Sequence, residues 1–203
     1  VPRPCEIGLN RRGLGVGFTN EAPKEPAYPT SRADTVYKAV VSFEQGGWHG
    51  PMVMYWKSGK KRREVTYNRG RQEGEYRLHY NDGTLQMVAS CVDGVRQGRQ
   101  VVYYKGGEGK IQAEFWLVDD LREGEALLRY ESGALRAKGT FVQNGIVGDF
   151  VTYYETGEVN SETAFTDGVK HGTSVWYSKD GSIKDEDVYE AGECVELCEG
   201  DER

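Results

Sequence analysis

The chain reads as an all-β protein: an elongated, twisted, single-layered antiparallel sheet of about 13 strands, built from 24-residue β-hairpins. Three observations lead there. Glycines recur at Gly50, Gly74, Gly98, Gly124, Gly148 and Gly172, spaced 24 residues apart except for one spacing of 26. Each is followed nine residues later by a second glycine, at Gly59, Gly83, Gly107, Gly133, Gly157 and Gly181. The segments between them are short, rich in β-branched and aromatic residues, and too often interrupted by glycine for helix.

The elements follow in order. A half-copy comes first, because Tyr37, Ala39, Val41 and Phe43 occupy the columns of a returning strand. Six outgoing strands then lie between the paired glycines: "PMVMYWKS", "EYRLHYND", "RQVVYYKG", "EALLRYES", "DFVTYYET" and "TSVWYSKD". Most close on an Asp-Gly, Ser-Gly or Thr-Gly turn, which supplies the positive-φ residue a tight hairpin requires. Returning strands follow, as in "LQMVASC", "IQAEFWL", "LRAKGTF", "VNSETAF" and "IKDEDVY". The insertion responsible for the one longer spacing lies in the turn "KGGEGK". On this reading the repeat glycines are turn punctuation, and His49 and His171, which precede two of them, are exposed turn residues.

Alternation separates two faces. The inner column of the outgoing strands reads Met52, Met54, Trp56; Tyr76, Leu78, Tyr80; Gln100, Val102, Tyr104; Ala126, Leu128, Tyr130; Phe150, Thr152, Tyr154. Returning strands end their inner column at Tyr67, Cys91, Leu117, Phe141, Phe165 and Tyr189. Arg62, Glu64, Gln86, Arg136, Lys138, Glu162 and Lys184 point outward. Three regions result: a Pro-rich cap over residues 1–36, a repeat region over 37–193, and a C-terminal cap over 194–203. The acidic end, "AGECVELCEGDER", blunts an open edge against strand addition.

Composition narrows the classes of function. Four Trp, thirteen Tyr and six Phe argue for a folded, thin, half-solvated sheet even though hydrophobic content is only 37%. A formal charge of −6 disfavours nucleic acid and anionic membrane as partners and favours a basic protein. No run approaches the ~20 apolar residues of a spanning helix. The first residue is Val1 rather than Met, so a trimmed leader is expected. Of four cysteines, Cys91 is a small core residue, and a disulfide through it would need the N-terminal segment to reach it. Cys194 and Cys198 are candidates for a disulfide closing a small loop in an oxidising compartment, two unpaired thiols being the alternative. The compartment is then periplasm or cell envelope, with the cytoplasm as the other reading.

Chemistry is sparse. Gly13, Gly15 and Gly17 lack the flanking strand and helix of a phosphate loop. His79 has no nucleophile in its own copy, no histidine sits near the cysteines, and carboxylates occur as isolated repeat-column members. No catalytic, metal or cofactor site is expected. The outer column five residues after each repeat glycine is more informative: Tyr55, His79, Tyr103, Arg129, Tyr153 and Tyr177. Tyr and Arg dominate interface hot spots, and Trp116 shares their outward parity. Cross-strand pairing within the sheet explains the same residues equally well.

The unit "NGxxxGxxxxYYxxGxxxxxxxF", best seen in "QNGIVGDFVTYYETGEV" and in residues 166–193, resembles the MORN repeat in its bacterial variant form. The resemblance spans about residues 37–193. It implies a non-enzymatic antitoxin or immunity protein that occludes a cognate secreted toxin, with phospholipase-type effectors among such partners. MORN proteins of the other kind sit on membranes and phosphoinositides, which the acidity here does not suit. A scaffold that binds envelope lipid or glycan through the same aromatics is the competing expectation, and a lipid or glycan hydrolase the third.

Overall fold

The computed structural model describes residues 38–40, 43–44 and 47–198, and every regular element among them is a strand. The chain is thus all-β, formed of antiparallel hairpins whose neighbours in the sheet follow sequence order. Two compact units divide it: Val1–Lys110 with Leu117–Asp120, and Ile111–Trp116 with Leu121–Arg203. The expected cap over 1–36 lies outside the described residues, as do Tyr37 and Val41.

The first unit contains β1 (Lys38–Val40), β2 (Phe43–Glu44), β3 (Gly47–Trp48), β4 (Gly50–Tyr55), β5 (Lys61–Asn68), β6 (Arg71–His79), β7 (Leu85–Val92) and β8 (Val95–Tyr103). Strand β1 pairs with β4, then β5 to β8 follow in order, while β2 and β3 form a separate two-stranded ribbon. Of the expected half-copy, Ala39 does pair with the sheet, opposite Met54, whereas Phe43 belongs to the ribbon and pairs with Trp48. Alternation buries one parity: Met52, Val65, Tyr67, Tyr76, Leu78, Met87 and Cys91 make a continuous core, with Met54 and Val102 packed against it. The edge of the Trp48 ring meets the face of Tyr67, or the reverse, at 4.9 Å between centroids. Cys91, 1% exposed, is disulfide-bonded.

The first glycine of each copy proves not to be a turn residue. Gly74 lies inside β6 at φ 79, where Glu64 pairs with Arg77 but Thr66 pairs with Glu73. Four residues of β6 thus step past two of β5, a bulge that only a residue free of Cβ crowding occupies cheaply. The tight turn lies four residues earlier. Arg69 and Gly70 (φ 48 and 82), like Asp93 and Gly94 (φ 53 and 88), are consecutive positive-φ residues, the signature of a type I′ hairpin. The opposite turn differs: Gly59 N–H donates to Trp56 O (2.9 Å) and Trp56 N–H to Lys60 O (2.8 Å), with one positive φ, a type I turn completed by a bulge glycine. Outgoing strands are accordingly longer than expected, and His171 belongs to a strand rather than a turn. In the inserted turn Gly109, at φ 87, takes the left-handed position expected of Gly107.

The second unit contains β9 (Ile111–Val118, through Trp116), β10 (Leu121–Arg122), β11 (Gly124–Arg129), β12 (Leu135–Val142), β13 (Gly145–Tyr153), β14 (Val159–Thr166), β15 (Val169–Tyr177), β16 (Ile183–Glu190) and β17 (Glu193–Glu196). Strand β9 is followed by β11 to β17 in order, and β10 pairs with β9. Ala113, Ala126, Leu128, Ala137, Phe141 and Phe150 are buried on the predicted inner parity. Toward β16 that face turns polar, with Ser161, Thr163, Ser174 and Asp187 all buried. Thr152 Oγ1 and Ser161 Oγ bond at 2.6 Å, so part of this polar surface is satisfied laterally.

Parity misjudges two positions. Val101 (6% exposed) is more buried than its neighbours Gln100 and Val102, and Val151 (8%) is buried beside Phe150. Both stand on the outer parity. Val101 is paired with Val88, and Val151 lies between Lys138 and Glu162. Aliphatic neighbours and long side-chain stems shield them from water.

Candidate functional site: the outer column

Each outer-column residue is the last of its outgoing strand. Register shifts fall between Met54 and Tyr55, Leu78 and His79, Leu128 and Arg129, Thr152 and Tyr153, and Trp176 and Tyr177. Turn bulges therefore set where the column points. Its backbone is held by the preceding hairpin. Trp56 Nε1 donates to His79 O (3.2 Å), Tyr80 Oη to Tyr103 O (2.9 Å), Tyr130 Oη to Tyr153 O (2.7 Å) and Tyr154 Oη to Tyr177 O (2.8 Å). The inner aromatic of one copy thus fastens the outer residue of the next, 23 positions on.

Four of the side chains are engaged as well, each with a residue 15 positions earlier. His79 Nε2 lies 2.9 Å from Glu64 Oε1, Arg129 Nη2 3.8 Å from Glu114 Oε2, and Tyr177 Oη donates to Glu162 Oε2 at 3.1 Å. Lys138 Nζ stands 6.0 Å from the centre of the Tyr153 ring. Tyr55 and Tyr103 are half-buried in the same column. Within the first unit His79 thus faces Glu64, and within the second Arg129, Tyr153 and Tyr177 face Glu114, Lys138 and Glu162. For His79, Arg129, Tyr153 and Tyr177 the structure finds cross-strand partners rather than free side chains.

Electrostatics follow from those pairs. Burial works to raise Glu64, but hydrogen bonds from Lys61 and His79 and their charges outweigh it and leave its carboxyl below the ordinary value. Desolvation, then the Glu162 hydrogen bond and the charges of Glu162 and Glu186, hold the Tyr177 phenol above its ordinary value. Beside Tyr177 a shallow hollow is lined by Glu158, Glu162, Lys179 and Asp180. Asp180 is lowered by hydrogen bonds from the Ser182 hydroxyl and backbone, as Asp82 is by Thr84; these are turn-forming carboxylates.

Trp116 behaves differently. It is 53% exposed on β9, with Leu121 on β10 and Val142 on β12 also exposed in the same unit. Glu123, whose N–H donates to Trp116 O at 2.9 Å, and Glu125 supply acid nearby in sequence and strand. At the end of the second unit, Cys194 and Cys198 form a disulfide with their Cα atoms 6.1 Å apart. Sequence reasoning missed the 15-residue pairing, although a search for opposite charges at that offset finds it. It also missed buried Asp187, which in "IKDEDVYE" stands among other acidic residues that stay at least partly exposed.

Comparison with known proteins agrees with the repeat architecture. Residues 48–69 match the MORN repeat variant family. No curated protein sequence matches the chain. Among solved structures, a chain of the GtfA/B complex bound to UDP and GlcNAc aligns at 14% identity with a TM-score of 0.25, over 72% of this chain and 27% of that one. The chain thus spans about a quarter of that protein's length, and so low a score says nothing further about it. The match at 48–69 covers one hairpin, β4 with β5, and is what this chain is similar to in its repeat unit.

Proposed function

We propose that this chain is a non-enzymatic immunity or antitoxin protein that binds a cognate secreted toxin, of the phospholipase effector type, and occludes it. The observation that supports the reading is Trp116, a large aromatic left 53% exposed while the column beside it is fastened within the sheet. A rigid, exposed indole offers much contact area and loses little freedom on binding. The formal charge of −6 suits a basic toxin surface and would speed its approach. The Cys194–Cys198 disulfide favours an oxidising compartment such as the periplasm.

The test is a binding and protection assay with the product of a neighbouring toxin gene. A one-to-one complex and protected cells are expected. Trp116→Ala should weaken binding by roughly 2 kcal/mol or more with its unfolding curve unchanged. Absence of a complex, or of protection, refutes the proposal. Sedimentation with envelope-lipid vesicles instead of toxin would favour the scaffold reading.

A further inference from the structure

The last hairpin gathers a carboxylate and two sulfurs at one place. One carboxylate oxygen of Asp187 and the Sγ atoms of Cys194 and Cys198 all lie within 4.8 Å of one another. Asp187 sits on β16 and Cys194 on β17, with Cys194 paired opposite Tyr189. We infer that, once its disulfide is reduced, this hairpin binds a zinc ion through Asp187, Cys194 and Cys198.

The geometry suits the ion. Zinc takes thiolate sulfur at about 2.3 Å and carboxylate oxygen at about 2.0–2.2 Å, which puts tetrahedral ligands roughly 3.5–3.8 Å apart. Two thiols freed from a disulfide open to that separation by small side-chain rotations, and the Asp187 oxygen needs to close by only about 1 Å. The spacing "CVELC" falls within the Cys-x2–4-Cys range of such sites. Asp187 is 4% exposed and therefore held in place, and Tyr189 Oη donates to its Oδ2 at 3.3 Å, an outer hydrogen bond of the kind that orients a ligating carboxylate. Cys198 is exposed, which gives the ion a way in, and water completes the fourth position.

The chemistry is exclusive. Two equivalents of a thiol or one of a phosphine reductant convert the disulfide to two cysteine thiols. Zinc then displaces both sulfur protons, which leave to solvent, and its two positive charges offset two of the three ligand charges. Exchange with a disulfide oxidant, which takes the two electrons and leaves as two thiols, returns the sulfurs to each other and expels the metal. A newly made chain, before it meets an oxidant, would hold zinc where the mature one holds the disulfide. This inference is independent of the toxin-binding proposal.

The experiment titrates zinc chloride into the full-length chain kept reduced with a phosphine, in competition with a chromophoric chelator. One ion per reduced chain and none in the oxidised chain are expected, and cobalt in place of zinc should show thiolate-to-metal charge-transfer absorption. Asp187→Asn should bind about 10-fold or more weakly. Cys198→Ser, at an exposed position that does not threaten folding, should do so as well, and the Cys194→Ser/Cys198→Ser pair should bind none. Equal binding by the oxidised chain, retention by the double variant, or unchanged affinity in a folded Asp187→Asn variant would each overturn the assignment.

Discussion

Gly139 is a glycine for reasons of space, and replacing it by alanine probes the packing of the second unit directly. A Cβ built there would stand 2.5 Å from Phe150 Cδ2 and 3.1 Å from Cε2. Carbon atoms in contact prefer about 3.5–4.0 Å, so the ring must retreat by roughly 1 Å. It has little room: Phe150 is 4% exposed and its ring meets Phe165 edge to face at 6.3 Å. Gly139 is not among the positive-φ residues, so no backbone strain adds to the cost. Overpacking of this kind costs ~1–3 kcal/mol. For a chain of 203 residues, a loss of 2 kcal/mol lowers Tm by about 4–8 °C. Chemical denaturation of Gly139→Ala, Phe150→Leu and the double variant would measure it. If the collision is the cause, the double variant should lose at least ~1 kcal/mol less than the sum of the singles. Additive losses, or a neutral Gly139→Ala, would refute the packing argument.

Other expectations test different links. Phe141→Ala, 4% exposed in the wild type, should cost ~3–5 kcal/mol in denaturant unfolding while leaving partner binding to the folded fraction intact. Tyr154→Phe and Tyr130→Phe each remove one half-buried hydrogen bond to the next copy and should cost about 1 kcal/mol, with faster amide exchange at the following hairpin. Because the folded pKa of Glu64 lies below its unfolded value, its contribution is present above the unfolded pKa and is lost as pH falls through the folded one. Glu64→Gln should therefore reduce the acid-side fall in stability, read from denaturation midpoints across the carboxylate range.

The strand periodicity and the inner face were legible from the sequence because apolar alternation is a local property: Met52, Tyr76, Ala126 and Phe150 are buried where parity placed them. Turn chemistry was less legible. Asp82-Gly83 and Asp93-Gly94 are the same dipeptide, yet one closes a type I turn with a bulge glycine and the other a type I′ hairpin. Strand length and register on either side decide between them, and neither can be read from two residues. Gly74 raised the same difficulty, since a positive φ inside a bulged strand leaves the same mark as one in a turn. The outer column was found, with cross-strand pairing as one of its two readings, but the partners were not. That His79 meets Glu64, or Tyr177 meets Glu162, depends on which strands become neighbours, and the bulges shift that register.

The fastening of one copy's inner aromatic to a carbonyl 23 residues ahead also limits how such a chain can change its length. Residues gained within the strands between the aromatic and its acceptor carbonyl would carry the donor atom past its mark. Whole repeats can be duplicated or deleted with every fastening re-formed between new neighbours. Partial insertions belong at the type I turns, where "KGGEGK" already accommodates two extra residues. A lineage of such proteins would accordingly vary in whole repeats, and a library of variants designed by recombination should place its crossover points at equivalent positions of different copies.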